Sequence, residues 1–302
     1  MTHSIRKLLF AILLLAIVAP AHATLKVFAC EPEWAALTQE LAGDNASVTS
    51  ATTAMQDPHH IDARPSLIAR VRQADLVVCT GAELESGWMP VLLRQAGNAK
   101  VQPGRPGHFE AASFVERLDV SGSVDRSMGD VHASGNPHIH IDPRRIATVA
   151  QHLAARLTQI DPANAGTYRD RHADFAHRWQ QAMRQWTTRA APLKGKRVVA
   201  HHKNWTYLED WLGLAEVGTL EPKPGVPPSV GHLAALKGQL AKTPAHAVIR
   251  TPFDDPRPSD WLAHETHVRP VMLPYTVGGT PAAKDLFALF DDTIARLLEA
   301  TK

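Results

Sequence analysis

The sequence predicts an α/β protein of two lobes, each a parallel-type sheet flanked by helices, joined by one long backbone helix. Three observations carry this. Short apolar runs alternate with helical patterns in the first half, the same alternation returns in the second half, and an unusually long helical pattern separates the two. At 302 residues with 44% hydrophobic content, two lobes suit the chain better than a single enlarged core.

In the first lobe "LKVFACEP" reads as a strand, "EWAALTQELAG" as a helix ended by Gly43, "SVTSATTA" as a strand and "PSLIARVRQA" as a helix. "DLVVCTG" is the next strand and "SGWMPVLLRQAG" the next helix. A Gly/Pro/Ser-rich, irregular stretch over 102–137 leads into a helix starting at "DPRRIATVAQHL". The long pattern runs from Asp161 to Ala191, with Asp161 as N-cap and Pro162 in the first turn. Some thirty residues at ~1.5 Å each make a rod of roughly 45 Å, enough for an inter-lobe spine. Beyond Pro192 follow the strand "GKRVVAHH", the helix "NWTYLEDWLG", the extended run "LAEVGTLEP" and the helix "SVGHLAALKGQLAK". The strand "AHAVIRTPF", the helix "RPSDWLAHETH", the strand "VRPVMLPY" and the helix "AAKDLFALFDDTIARLLEA" complete the chain. The expected boundaries are 24–160 for the first lobe, 161–191 for the linking helix and 192–302 for the second lobe. No internal sequence repeat is evident.

Residues 1–23 read as a secretory signal: Arg6 and Lys7 precede the apolar run "LLFAILLLAIVAP", and "AHA" (21–23) suits cleavage. No other segment resembles a membrane span, and Cys30 has no lipobox before it, so a soluble, exported, periplasmic monomer is expected. Lys+Arg (32) nearly balance Asp+Glu (30), which argues against a nucleic-acid partner. The two cysteines, Cys30 and Cys79, both close strand-like runs. An oxidising compartment permits a disulfide between them, but a direct bridge between adjacent parallel strands is awkward and buried free thiols are common, so the pairing stays open.

Seventeen histidines are the compositional outlier. Three groups sit where strands end or loops begin: His59/His60 in "QDPHHIDARPS", His138/His140 in "GNPHIHIDP" and His201/His202 in "VVAHHKNW". On an alternating α/β sheet, loops at the carboxyl ends of strands collect ligands. With the first two groups in one lobe and the third in the other, an inter-lobe metal site is the economical reading. Any such pair taken alone is more often solvated than ligating.

In combination these segments resemble the periplasmic metal-binding proteins of zinc and manganese ABC importers, the cluster A-I solute-binding proteins of zinc-importer type. The resemblance covers nearly the whole chain after the signal. "DPHHIDARPS" is similar to the family's PH-x-x-x-x-x-P-S element, "NPHIHIDPRRI" to its PHxWxDP segment, and "HHKNWTYLEDWLGL" to its H-x-x-x-x-Y-[FL]…GL segment. The resemblance implies His59, His138 and His202 as metal ligands, with His202 preferred to His201 because Tyr207 and Gly213 fall at the matching distances behind it. Three neutral imidazoles suit Zn²⁺ in tetrahedral geometry, whereas Mn²⁺ prefers more carboxylate oxygen.

Two departures matter. Many relatives supply an Asp from the loop before the last helix, but here "LPYTVGGTPAAKD" puts Tyr275 and Thr276 at that place and leaves Asp285 to cap the helix. The fourth position is therefore open to water, His60, His140 or another carboxylate. The His/Asp-rich loop is also missing, replaced by "DRSMGDVHASGNPH", whose Asp130 and His132 read as plain loop residues or a small capture site. Trp205, Tyr207 and Trp211 read as packing residues behind the third group. The expected function is capture of Zn²⁺ in an inter-lobe cleft and its delivery to an ABC permease, without catalysis. The long helix limits hinge opening, so local loop movement does the closing. Alternatives are a Mn²⁺/Fe²⁺-binding relative, or a zinc hydrolase with Asp62 or Glu83 as general base; no H-E-x-x-H helix supports the latter.

Overall fold

The structure, a computed structural model, describes residues 24–121 and 129–302. The expected signal segment, 1–23, lies outside the described residues. Among those described, no helix is long and apolar enough to cross a membrane.

Each strand is a run of three to five residues, and all pairings are parallel. The first sheet contains β1 (Leu25–Ala29), β2 (Ala46–Ser50), β3 (Leu76–Cys79) and β4 (His108–Glu110) in the order β2-β1-β3-β4. The second contains β5 (Arg197–Ala200), β6 (Ala215–Thr219), β7 (Ala247–Arg250) and β8 (Arg269–Met272) in the order β6-β5-β7-β8. The two sheets thus share one strand order although their sequences show no repeat. In each, the connection reverses direction beside the first strand, the place where parallel sheets open a crevice at their carboxyl ends.

Helices α1 (Pro32–Ala42), α2 (Pro65–Gln73) and α3 (Met89–Ala96) serve the first sheet; α6 (Thr206–Leu212), α7 (Val230–Leu240) and α8 (Pro256–Thr266) serve the second. Proline in the first turn starts α1, α2, α3 and α8, where its missing N–H costs nothing. Between the sheets run α4 (Pro143–Ile160) and α5 (Ala165–Ala190), and α9 (Leu286–Ala300) ends the chain. Asp142 and Asp285 cap α4 and α9 through backbone N–H groups at 2.8 Å.

The largest apolar cluster crosses both lobes. It joins one face of the first sheet (Val27, Val78), α1, α4 and α5 to Val198 and Ile249 of the second sheet and to α9. Within it, α5 is tied to both sides by two tryptophans seven residues apart. Trp179 Nε1 donates to the Pro143 carbonyl at the start of α4 (2.8 Å), and Trp186 Nε1 donates to Asp291 Oδ1 on α9 (3.0 Å). Their rings pack on Phe287 and Phe290 at centroid distances of 4.8 and 5.1 Å, within the range of favourable aromatic contact.

Three local features differ from the sequence reading or resolve it. The long helix begins at Ala165, because Pro162–Asn164 form a separate 3₁₀ turn. Asp161 folds back onto that turn, accepting from Asn164 Nδ2 (2.7 Å) and Tyr168 Oη (2.5 Å) instead of capping it. The supposedly irregular stretch over 102–137 contains β4, a three-residue edge strand too short to show a period. Finally, Cys30 and Cys79 form a disulfide with Cα atoms 4.8 Å apart. The register that sets Ala29 opposite Val78 brings the next residues, the two cysteines, face to face.

Candidate metal centre

All three histidine groups lie at the carboxyl ends of the sheets. After β2, the loop carrying His59 is fixed by Trp88, whose Nε1 donates to the Pro58 carbonyl (2.8 Å). Asp57 then grips His59 twice, accepting from its backbone N–H (3.0 Å) and from its ring Nδ1 (2.7 Å). His138 precedes the 3₁₀ turn Ile139–Ile141, and its N–H donates to Asn136 Oδ1 (3.0 Å). The Asn136 amide in turn reaches the second lobe at the Lys203 carbonyl (3.0 Å), while Tyr207 Oη donates to the Asn136 carbonyl (2.5 Å). Tyr207, buried in the shared core, thus holds the His138 segment. His202 follows β5, and its Nδ1 meets Glu221 Oε2 at 2.7 Å.

The rings of His59, His138 and His202 converge, one ligand nitrogen from each lying within 4.8 Å of the others. Ring centroids are 5.3 Å apart for His59–His138, 5.5 Å for His59–His202 and 5.9 Å for His138–His202. Two imidazoles bound at ~2.0–2.1 Å to one tetrahedral ion have centroids roughly 5 Å apart, so the trio is slightly expanded from a closed site.

The hydrogen bonds sort the ring nitrogens. Carboxylates only accept, so His59 and His202 donate from Nδ1 to Asp57 and Glu221 and turn Nε2 to the shared space. His138 Nδ1 is engaged by Tyr275 Oη at 2.6 Å. Outer partners of this kind fix tautomer and ring orientation around metals. The His59 Nε2 is buried with no hydrogen-bond partner within the protein, an arrangement that buried polar atoms rarely adopt. A cavity of about 30 Å³ touches His59, His202, Asp57, Glu221, Asp130 and Asp254.

Electrostatics distinguish the rings. Burial, followed by the neighbouring His59 and His202, holds His138 well below the usual histidine pKa, so it is a neutral donor. Burial also disfavours charge on His202, but the hydrogen bond and charge of Glu221 outweigh it and raise its pKa. Asp57 is held at about 2: burial opposes ionisation, and the contacts with His59 overcome it. Tyr275, raised well above the usual phenol range by burial and then by nearby carboxylates, is a neutral hydroxyl.

The other candidates lie elsewhere. His60 is exposed, its Nε2 3.5 Å from Asp130 Oδ2. His140 is buried behind the site, donating from Nε2 to the Tyr275 carbonyl (3.0 Å) with Nδ1 3.4 Å from Glu33 Oε1. Tyr275 therefore touches two first-lobe histidines, His138 through its hydroxyl and His140 through its backbone. Thr276, also at the place of the family carboxylate, donates to Glu33 Oε2 (2.5 Å). The two general-base candidates are exposed or already engaged. Asp62 is exposed, and both Glu83 oxygens accept at 3.0 Å, from the Ala133 N–H and the Ser134 hydroxyl.

Sequence reasoning missed Asp57 and Glu221, although each carried a faint signal: Asp57 stands two residues before His59, and Glu221 ends an extended run. His132, read from the sequence as a plain loop residue or part of a small capture site, stacks on His59 with centroids 5.5 Å apart and planes at 25°.

A family model described as "ZnuA: Zinc-uptake complex component A periplasmic" matches residues 27–300. The chain is 24% identical over 245 residues to the high-affinity zinc uptake system protein ZnuA of Yersinia pestis, covering 77% of each. It is 23% identical over 251 residues to the manganese ABC transporter substrate-binding lipoprotein PsaA of Streptococcus anginosus, covering 81% of this chain and 77% of that one. A solved structure described as "Crystal structure of ZnuA" superposes with a TM-score of 0.77 at 18% identity, over 93% of this chain and 100% of the other, which shows a common fold.

Proposed function

Because this chain belongs to the ZnuA family of periplasmic metal-uptake components, we propose that it captures Zn²⁺ between its lobes through His59, His138 and His202 and hands it to the permease of an ABC importer. One observation carries the choice of residues: three imidazoles from loops of both lobes converge, each with Nδ1 engaged by an outer partner. The donor set favours zinc. Nitrogen is the ligand atom at all three places, and the position where many relatives offer a carboxylate holds the neutral Tyr275.

In this reading Asp57 and Glu221 keep two rings in the Nδ1–H tautomer, so the ion meets preset Nε2 lone pairs. The aromatic and aliphatic core shared by the lobes resists wide hinging, so capture needs only loop adjustments that draw the rings together. The disulfide at the end of β1 and β3 accords with an oxidising, extracytoplasmic setting.

Calorimetric titration of residues 24–302 tests this. One Zn²⁺ per chain, held more tightly than Mn²⁺ and lost in His138→Ala, is the expected result. Equal Zn²⁺ binding by that variant would refute the assignment, and tighter Mn²⁺ binding would refute the choice of metal.

A further inference from the structure

A fourth imidazole borders the trio. His132 lies in a loop spanning both lobes: the Asp130 N–H donates to the Pro224 carbonyl of the second lobe (2.8 Å), and Ala133 and Ser134 are held by Glu83 of the first. Glu83 and Ala82 both adopt left-handed backbone conformations, with φ of 71° and 49°, which are uncommon for residues with side chains and persist only where the surroundings impose them. Gly225, with φ of 74°, leaves room for Asp130; a Cβ there would collide with its carboxylate. The resulting loop presses the His132 ring against His59, and His132 Nε2 is buried with no hydrogen-bond partner.

Most of the remaining groups beside the trio are engaged, the exceptions being the Asn204 Oδ1, buried without a partner at the same cavity, and the second oxygen of Asp254. Asp57 and Glu221 hold His59 and His202, Tyr275 Oη holds His138, and Asp254 accepts the Thr251 N–H (2.7 Å). His60 and His140 point to Asp130 and to Tyr275 and Glu33. An unpartnered buried imidazole nitrogen is costly unless something completes it. The His132–His59 centroid distance of 5.5 Å equals that of His59–His202, but His132 stands outside the group whose ligand atoms all lie within 4.8 Å, so its loop must move inward for it to join them.

Resting on the zinc-capture reading above, we propose that His132 is the fourth ligand, replacing the carboxylate absent at Tyr275 and giving the ion an all-imidazole shell. A shell without anionic oxygen favours Zn²⁺ over the harder Mn²⁺, so His132 is also a selectivity residue.

Metal binding by the chain over 24–302 and by His132→Ala, His132→Asp and His138→Ala tests this, using Zn²⁺ and Mn²⁺ competition and the visible spectrum of bound Co²⁺. His132→Ala is expected to weaken Zn²⁺ roughly 10- to 100-fold, the span that perturbing the groups around a metal site commonly costs, and to reduce the intense bands of tetrahedral Co²⁺. His132→Asp should recover Zn²⁺ binding while raising relative Mn²⁺ affinity. An unchanged Zn²⁺ affinity and Co²⁺ spectrum in His132→Ala, with binding lost in His138→Ala, would overturn the fourth-ligand assignment alone. Unchanged binding in both variants would overturn the three-histidine site as well.

Discussion

Glu221→Gln separates two roles of one carboxylate. In the native protein Glu221 Oε2 accepts from His202 Nδ1 (2.7 Å) and from the Gly225 N–H (2.8 Å), and both Glu221 and His202 are largely shielded from water. In the proposed site metal binding requires neutral His202, whose pKa Glu221 raises against the opposing effect of burial. As pH falls through that raised value, a proton takes Nε2 and zinc affinity drops, approaching tenfold per pH unit for one competing proton. The amide would remove the charge that favours the imidazolium, leaving burial to depress the pKa. The fall in affinity would then begin at lower pH. At the high-pH end, where His202 is neutral in both proteins, the same change costs ring orientation and ligand basicity, about 10- to 100-fold or roughly 1.4–2.7 kcal/mol. The two affinity–pH curves should therefore approach each other as pH is lowered. Chelator competition with Zn²⁺ from pH 7.5 to 5.5 measures this, and parallel curves would refute the reasoning.

Further outcomes follow from the same contacts. Tyr275→Phe removes the hydroxyl on His138 Nδ1 (2.6 Å); zinc titration should show about a tenfold loss, the cost of ~1.4 kcal/mol for a buried polar group left unpaired, with an unchanged circular dichroism spectrum. Glu83→Ala releases Ala133 and Ser134, so limited proteolysis should cut within 129–135 faster than in the native protein. Cys79→Ala opens a loop closed across a sequence separation of 49; urea unfolding should show a loss of about 4 kcal/mol by the chain-entropy relation.

Much of the architecture was legible because most strands are apolar runs bounded by turn residues, each followed by a helical pattern. Phe109 alone gives β4 its buried side chain, and one apolar residue sets no period. The start of α5 was obscured because Asp161 and Pro162 resemble a helix N-terminus, whereas Asp161 also ends α4. At the candidate site, the spacing from His59 to Pro65 singled out His59, which the fold brings beside His138 and His202 while His60 stays exposed. Glu221 lies nineteen positions beyond His202, and Tyr275 is 137 positions beyond His138. The first pairing arises when β6 lies beside β5 and the second only when the two lobes meet, so local sequence patterns contain no record of either.

The brace made by α5 has a kinetic consequence. With Trp179 and Trp186 anchoring it to α4 and α9, the lobes cannot part like jaws to drop all ligands at once. An ion held at the proposed site would then leave by stepwise exchange, one imidazole surrendered to an incoming group before the next. Residence time is then set by the competing ligands a receiver presents, and a receiver with no such ligands should find the cargo slow to leave.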